Sequence, residues 1–262
     1  MHNAGMSWTR YVAIGDSFTE GLGDPDPVAP GGWRGWADRV AEALARHTAD
    51  FTYANLAIRG RLLGQIVDEQ VPEALSLRPE LVAMSGGGND LLRPGADVDA
   101  LGVLLDDAVG RLRAAGIDVI MFTGVDPVDS PVIRRLRGRV VAYNEHVHTI
   151  AADRGAYLVD LWTMPILRDW RMWGADRVHM SPAGHRRVAL AVLETLGLPI
   201  EEVAWREPLP PLPELRRSAR LLREMRWART YVAPWVVRRL RRQSSGDDIT
   251  AKRPLLTPPP LH

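Results

Sequence analysis

The chain has 262 residues, of which 46% are hydrophobic and 25% charged, and its formal net charge is +1. This composition is ordinary for a soluble globular protein, and no window offers the apolar run of a membrane span. The sequence has no cysteine, which excludes disulfides, thiolate metal sites and a cysteine nucleophile. Because the start of the sequence lacks a secretory-signal pattern, we expect a cytoplasmic location.

Short apolar segments alternate with longer amphipathic ones along the first 200 residues. The pattern predicts five strands, at residues 10–15, 53–58, 80–86, 118–124 and 156–162. Helices are predicted between and after them, with the clearest at residues 33–48, 97–116, 139–155 and 181–197. The alternation predicts one α/β domain over residues 1–200, a three-layer α/β/α sandwich around a parallel sheet. Ligands of such sheets bind outside the carboxyl ends of the strands.

The composition changes after this domain, over residues 201–262. We predict a proline-rich linker, an arginine-rich amphipathic helix in "PELRRSARLLREMRWART", and a largely irregular tail over residues 233–262. Eleven arginines and three glutamates fall between residues 206 and 242, so the first 205 residues carry a net charge of −7. An acidic body therefore precedes a basic C-terminal extension.

The arginine-rich helix has three interpretations. It packs its apolar stripe on the domain, which is the interpretation we prefer, or it binds an anionic membrane surface. The third interpretation, binding to nucleic acid, is the least favoured.

The segment "VAIGDSFTEG" places Ser17 where the first predicted strand ends. A serine hydroxyl is a weak nucleophile, so it needs a base, and the base needs a group that orients it. The candidate pair is Asp176 and His179 in "GADRVHMSPAGH", where the spacing lets the carboxylate fold back onto the imidazole. A loop pair that only caps the following helix is the alternative.

Two further segments follow predicted strands. "MSGGGND" carries Asn89, a side-chain N–H donor, and "NLAIRGRLL" carries Gly60. Each is an ordinary turn when taken alone. Together with Ser17 and His179 they lie at one edge of one sheet, which favours a shared site.

At these four segments the sequence resembles the SGNH hydrolases, the GDSL-type esterases and lipases. "GDSFTEG" is similar to their first block, with Phe18 where the family name has leucine. "NLAIRG", "GGGND" and "DRVH" are similar to the second, third and fifth blocks. The blocks occur in order between Val12 and about Gly197. The resemblance implies a flavodoxin-like sandwich and no cofactor or metal.

The resemblance also implies a role for each matching residue. Ser17 attacks an ester carbonyl, His179 is the general base and acid, and Asp176 orients His179. The oxyanion hole consists of the backbone N–H groups of Ser17 and Gly60 and the side chain of Asn89. The expected substrate is a small-molecule carboxylic ester. A thioesterase, a carbohydrate deacetylase or an acyltransferase would use the same residues, and a non-catalytic binding protein acting through the basic extension is the remaining alternative.

Neighbouring residues complete the predictions. We expect Asp16 and Asp90 to be structural, accepting backbone N–H bonds that brace two turns. Trp33 and Trp173 are candidates for the substrate pocket. Trp36 lies three residues after Trp33 on the same predicted helix, so one of the two belongs to the core.

Overall fold

The computed structural model describes residues 8–128, 130, 133–200, 205–213, 217–232 and 246–260. Its sheet has six strands in the order β5-β4-β3-β1-β2-β6. Their bounds are β1 Arg10–Ile14, β2 Thr52–Asn55, β3 Leu81–Met84, β4 Asp118–Phe122, β5 Tyr157–Val159 and β6 Arg253–Thr257. The first five are parallel, as predicted, and β1 and β3 are almost fully buried because helices cover both faces.

The described α-helices are α1 Ser17–Glu20, α2 Gly35–His47, α3 Leu63–Gln65, α4 Val71–Ser76, α5 Gly88–Leu91, α6 Val98–Ala114, α7 Arg137–Arg154, α8 Pro182–Thr195 and α9 Arg217–Trp227. A π-helical turn, Ile66–Gln70, joins α3 to α4, and another, Ala228–Val232, follows α9. Short 3-10 turns occupy Pro30–Gly32, Ile133–Leu136, Pro165–Arg168 and Trp170–Met172. The predicted helices at α2, α6, α7 and α8 are confirmed.

Two hydrophobic cores lie on opposite faces of the sheet. Helices α2 and α8 form one with Trp36 and Val188, and α4, α6 and α7 form the other with residues such as Leu105 and Val147. Because the chain goes from β1 to β2 on one side and then to β3 on the other, the strand order reverses beside β1. This reversal opens a crevice at the carboxyl ends of β1 and β3, where open α/β sheets bind ligands.

The tail contains one strand that the sequence did not predict. We expected residues 233–262 to be largely irregular, but β6 pairs antiparallel with β2 and forms an edge of the sheet. Residues 233–245 lie outside the described part of the chain. The sequence did not indicate β6 because "KRPLLTPPP" reads as proline-rich coil, although an edge strand tolerates proline.

A buried ion pair anchors β6. The ammonium group of Lys252 contacts the Asp38 carboxylate and donates hydrogen bonds to the carbonyl oxygens of Trp33 (2.9 Å) and Arg34 (2.8 Å). The side chains of Lys252 and Asp38 are only 3% and 6% exposed. All three N–H groups of the lysine therefore have partners, as a buried charge requires.

Candidate active site

Residues 15–20, here called the nucleophile turn because they include the predicted nucleophile Ser17, follow β1 and contain α1. The Asp16 side chain caps α1, and its Oδ1 accepts a hydrogen bond from the N–H of Phe18 at 3.0 Å. Ser17 is therefore the first residue of a helix, where no preceding carbonyl satisfies its N–H. The predicted bracing role of Asp16 is confirmed.

Buried side chains support this turn from behind. Gln70 accepts from the N–H of Gly15 (2.7 Å) and donates to its carbonyl oxygen (2.9 Å). The hydroxyls of Thr19 and Ser85 are 2.7 Å apart and hydrogen-bonded. The turn is thus held by the buried hydrogen bonds of Gln70 and the partly buried one of Thr19, and the sequence pattern did not indicate them.

Asn89 lies in α5, directly after β3. Its side-chain NH₂ group donates to Oδ2 of Asp16 and to the carbonyl oxygen of Arg61, both at 3.0 Å. The next residue, Asp90, accepts from the N–H of Leu63 at 2.9 Å, so its predicted bracing role is confirmed. These bonds join the turns after β1, β2 and β3 into one network.

Gly60 lies in the loop after β2. Glu20, buried in α1, accepts from the N–H of Arg59 at 2.7 Å and also pairs with the Arg59 guanidinium. The loop is thereby tied to the nucleophile turn. Gly60 is outside the residues that line the pocket described below, so its part in the oxyanion hole stays a prediction.

The histidine loop, residues 173–180, carries the proposed acid–base pair. Nδ1 of His179 lies 2.6 Å from Oδ2 of Asp176. Oδ1 of Asp176 accepts from the N–H groups of Val178 (3.0 Å) and His179 (3.1 Å). The carboxylate therefore folds back onto the imidazole as its spacing predicts, and it holds the ring through Nδ1, so Nε2 is the ring nitrogen that this carboxylate does not bind.

The pKa values of the two aspartates beside the site shift in opposite directions. Burial raises the pKa of Asp16 to about 6, because the hydrogen bond from Phe18 and the charge of His179 only partly offset desolvation. Burial also tends to raise the pKa of Asp176. The hydrogen bond from His179 and the charge of His179 outweigh this effect, so the pKa of this carboxyl is lowered. Asp176 thus stays ionised while it holds His179.

The histidine loop is held by the C-terminal helix. Arg177 has φ of 59°, a left-handed conformation that is strained for arginine. Its guanidinium pairs with Glu224 of α9 at 2.5 and 2.8 Å, and lies 4.5 Å from the ring centre of Trp227 and 5.2 Å from that of Trp170. The indole N–H of Trp227 donates to the Asp176 carbonyl oxygen at 3.3 Å. Residues far along the chain thus fix the conformation between Asp176 and His179.

The nucleophile side and the histidine loop meet at Gly23. The Cα of Gly23, which has φ of 95°, packs so closely on the loop that an added Cβ would lie 2.0 Å from the Met180 carbonyl oxygen and 3.3 Å from Cβ of His179. Only glycine permits this approach. The segment after α1 therefore packs directly against the histidine loop.

One pocket, with a volume of about 300 Å³, receives the predicted residues. Its lining includes Ser17, Asn89 and His179. Most of the remaining wall is aromatic or aliphatic, with Phe18, Leu91, Leu92, Phe122, Val125, Ile133, Leu136, Val140, Tyr143, Leu161, Leu167, Trp170 and Trp173. The structure therefore brings three segments distant in sequence to one apolar cavity.

The tryptophans predicted for the pocket lie in different places. Trp173 lines the pocket, whereas Trp33 is outside its lining and lies in an isolated β-bridge with Pro25. Trp36 is completely buried and packs on Phe122, with ring centres 4.7 Å apart. Trp36 is thus the core residue of the predicted pair.

His185 is a residue whose role the sequence did not reveal. It is fully buried, its Nδ1 accepts from the N–H of Trp36 (3.2 Å), and its Nε2 donates to the Leu22 carbonyl oxygen (3.0 Å). Burial lowers its pKa to about 4, so it is neutral at physiological pH. It connects α8 to the start of α2 and to the segment after Ser17. Its position in "SPAGH", just after His179, was the only available signal.

Two features are absent from the described residues. No helix in this part of the chain is long and apolar enough to cross a membrane. Within the same residues, no three His, Cys, Asp or Glu side chains are grouped so as to hold a metal ion.

Comparison with known proteins places this chain in a family. Residues 13–187 match the GDSL-like Lipase/Acylhydrolase family. The GDSL esterase/lipase CPRD49 of Arabidopsis thaliana is 24% identical over 206 residues, which cover 68% of this chain and 76% of that protein. The GDSL esterase/lipase WDL1 of Oryza sativa subsp. japonica is 22% identical over 196 residues, covering 65% of this chain and 72% of the relative.

Solved structures of other proteins have a similar fold. The crystal structure of TesA is 25% identical, with a TM-score of 0.60 over 71% of this chain and 97% of its own. A catalytic mutant of Axe2, an acetylxylan esterase from Geobacillus stearothermophilus, has the same fold at 21% identity, with a TM-score of 0.60 over 73% of this chain and 95% of its own. The chain therefore belongs to the GDSL-like lipase/acylhydrolase family and is an SGNH-type ester hydrolase.

Proposed function

We propose that this chain hydrolyses carboxylic esters with an apolar acyl group of medium length, using Ser17 as nucleophile, His179 as base and acid, and Asp176 to orient His179. The observation that supports this proposal is the shared pocket. Ser17, Asn89 and His179 line a cavity of about 300 Å³ whose walls are mostly apolar. Such a cavity favours an aliphatic or aromatic acyl group.

The first half of the reaction forms an acyl-enzyme. Oγ of Ser17 attacks the ester carbonyl carbon while Nε2 of His179 takes the hydroxyl proton. The carbonyl oxygen becomes an oxyanion, which the backbone N–H groups of Ser17 and Gly60 and the amide of Asn89 stabilise. When the C–O bond breaks, His179 gives its proton to the leaving alcohol.

Water completes the cycle. His179 removes a proton from the water that attacks the acyl-enzyme, and then returns it to Oγ of Ser17 as the carboxylic acid leaves. Asp176 keeps Nδ1 of His179 protonated and stabilises the imidazolium that forms twice in each cycle. Its lowered pKa suits this task, because the carboxylate must stay charged throughout.

The oxyanion hole requires one rearrangement. Both N–H bonds of the Asn89 amide have partners, in Asp16 and Arg61. One bond must therefore be shared or exchanged when the oxyanion forms. Because the oxyanion exists only near the transition state, this exchange contributes to turnover instead of substrate binding.

The test is hydrolysis of p-nitrophenyl esters from acetate to palmitate by the wild type and Ser17→Ala. Ser130→Ala is the matched control, since Ser130 also lines the pocket but does not have the proposed role. We expect a maximum at medium chain length, loss of activity in Ser17→Ala, and activity near that of the wild type in Ser130→Ala. Equal activity in wild type and Ser17→Ala would refute the mechanism, and a maximum at acetate would refute the acyl preference.

A further inference from the structure

Helix α9 has two different faces. Glu224 and Trp227, three residues apart, contact Arg177 and Asp176 of the histidine loop. Leu221, Leu222 and Met225 are 62%, 66% and 61% exposed. The preferred prediction, that the apolar stripe packs on the domain, is therefore wrong for these three residues. Three large apolar side chains on one short helix are left to the solvent.

Helix α9 and the π-helical turn that follows it are strongly basic, and both are included below when the outer face of α9 is named. Residues 217–232 contain five arginines and one acidic residue, Glu224, which is paired with Arg177. Arg223, Arg226 and Arg229 are exposed and flank the apolar residues. The outer face of α9, defined as Leu221, Leu222, Met225 and these three arginines, combines apolar side chains with positive charge.

The opposite face of α9, with Glu224 and Trp227, adjoins the pocket through the histidine loop. Val178 lies between the residues that α9 contacts and His179, lines the pocket and is 49% exposed. A surface bound to the outer face would therefore contact the same helix that holds the loop bordering the pocket.

We propose that the outer face of α9 binds an anionic lipid surface as a peripheral contact. Leucine and methionine side chains would enter the boundary of the acyl chains, and arginines would pair with anionic headgroups, as in other interfacial helices. Nucleic acid fits less well, because base stacking uses aromatic rings, and Trp227 of this helix already packs on Arg177. The binding itself does not depend on the proposed reaction.

The test is sedimentation of the full chain carrying Ser17→Ala with vesicles, so that binding is measured without hydrolysis. Equimolar phosphatidylglycerol and phosphatidylcholine vesicles are compared with pure phosphatidylcholine. We expect binding to the anionic vesicles only, weakening as salt is added. The triple change Leu221→Ser, Leu222→Ser and Met225→Ser should reduce the partition coefficient at least about tenfold.

A matched control replaces three exposed apolar residues elsewhere, Val28, Val103 and Leu104, with serine. We expect this control to bind like its parent, and reversal of Arg226 and Arg229 to glutamate to weaken binding about tenfold or more. Equal binding by the parent and the α9 triple variant would overturn the proposal, as would failure to bind anionic vesicles. Binding to single-stranded RNA alone, or a dimer that the triple change dissociates without any vesicle binding, would assign the face to another occupant and also overturn it.

Discussion

The two halves of the proposed triad are held in different ways. Contacts that belong to the sheet domain fix the nucleophile turn, chiefly the buried hydrogen bond of Gln70 with Gly15 and the partly buried one of Thr19 with Ser85. The histidine loop is partly exposed, and its strained residue Arg177 is held by α9, which comes about 50 residues later in the chain. The nucleophile therefore has a position set by the core, whereas the position of the base depends on the C-terminal extension.

The ionisation of the aspartates also differs between the nucleophile turn and the histidine loop. Near the nucleophile, burial leaves Asp16 with a pKa of about 6, so its ionisation opposes stability at neutral pH. In the histidine loop, the partner His179 lowers the pKa of Asp176 and keeps the carboxylate charged. Four substitutions, two in or beside each region, test this contrast in order of decreasing expected effect.

Asp176→Asn should have the largest effect. An amide in this position favours the wrong tautomer of His179 and does not stabilise its cation, so we expect kcat to fall by about 10⁴-fold. The measurement is kcat on the best ester of the series. Asp169→Asn is the control, because Asp169 lies before the same loop but pairs with Arg171. A similar fall in both variants would show general damage to the loop.

Asn89→Ala tests the half of the site that contains the nucleophile turn. Loss of one oxyanion donor should raise the activation barrier by roughly 3 kcal/mol, a reduction in kcat of a hundredfold or more. KM should change little, because the bond forms mainly in the transition state. The check is a full kinetic comparison with urea unfolding of the same protein. Unchanged turnover would remove Asn89 from the site.

Asp16→Asn tests the buried charge. The pKa of Asp16 is about 6 in the folded chain and that of an unfolded aspartate is about 4, so the folded state binds more protons between these values. The free energy of unfolding of the wild type therefore falls as pH rises through this interval.

Asparagine does not ionise, so the stability of Asp16→Asn relative to the wild type should rise by about 2 kcal/mol from pH 4.5 to pH 7.5. Urea unfolding at both pH values measures it. The exposed Asp68 provides a control in Asp68→Asn. Parallel pH profiles for wild type and Asp16→Asn would contradict the assignment.

Trp227→Ala should have the smallest effect. It removes the ring over Arg177 and the hydrogen bond to the Asp176 carbonyl oxygen, so the histidine loop loses part of its support. We expect kcat to fall roughly tenfold with a smaller change in KM, because a displaced base slows the chemistry more than it weakens binding. Met225→Ala, on the outer face of the same helix, should leave kcat unchanged. If both substitutions had the same effect, the contact with the loop would not be its cause.

The contrast also explains what could be predicted from the sequence. The five parallel strands, the contact of Asp176 with His179 and the bracing by Asp16 depend on short spacings and local patterns, and the structure contains them. Such features arise within a few residues, where turn and helix chemistry is readable.

The rest depends on pairs distant in sequence. Lys252 meets Asp38 across more than 200 residues, and Arg177 meets Glu224 across 47. No local pattern encodes either pair, so β6 was predicted as coil and the contact of α9 with the histidine loop was not foreseen. The pocket likewise combines side chains from several loops, and for that reason Trp33 and Trp173 could not be distinguished before the fold was known.

Covalent labelling tests the central claim most directly. The full chain is treated with an alkyl fluorophosphonate, and the adduct is located by mass spectrometry in the wild type, Ser17→Ala and His179→Asn. The account predicts a single adduct on Ser17, none in Ser17→Ala, and labelling slowed by orders of magnitude in His179→Asn. An adduct on another serine, or labelling of Ser17 at an unchanged rate without His179, would contradict it.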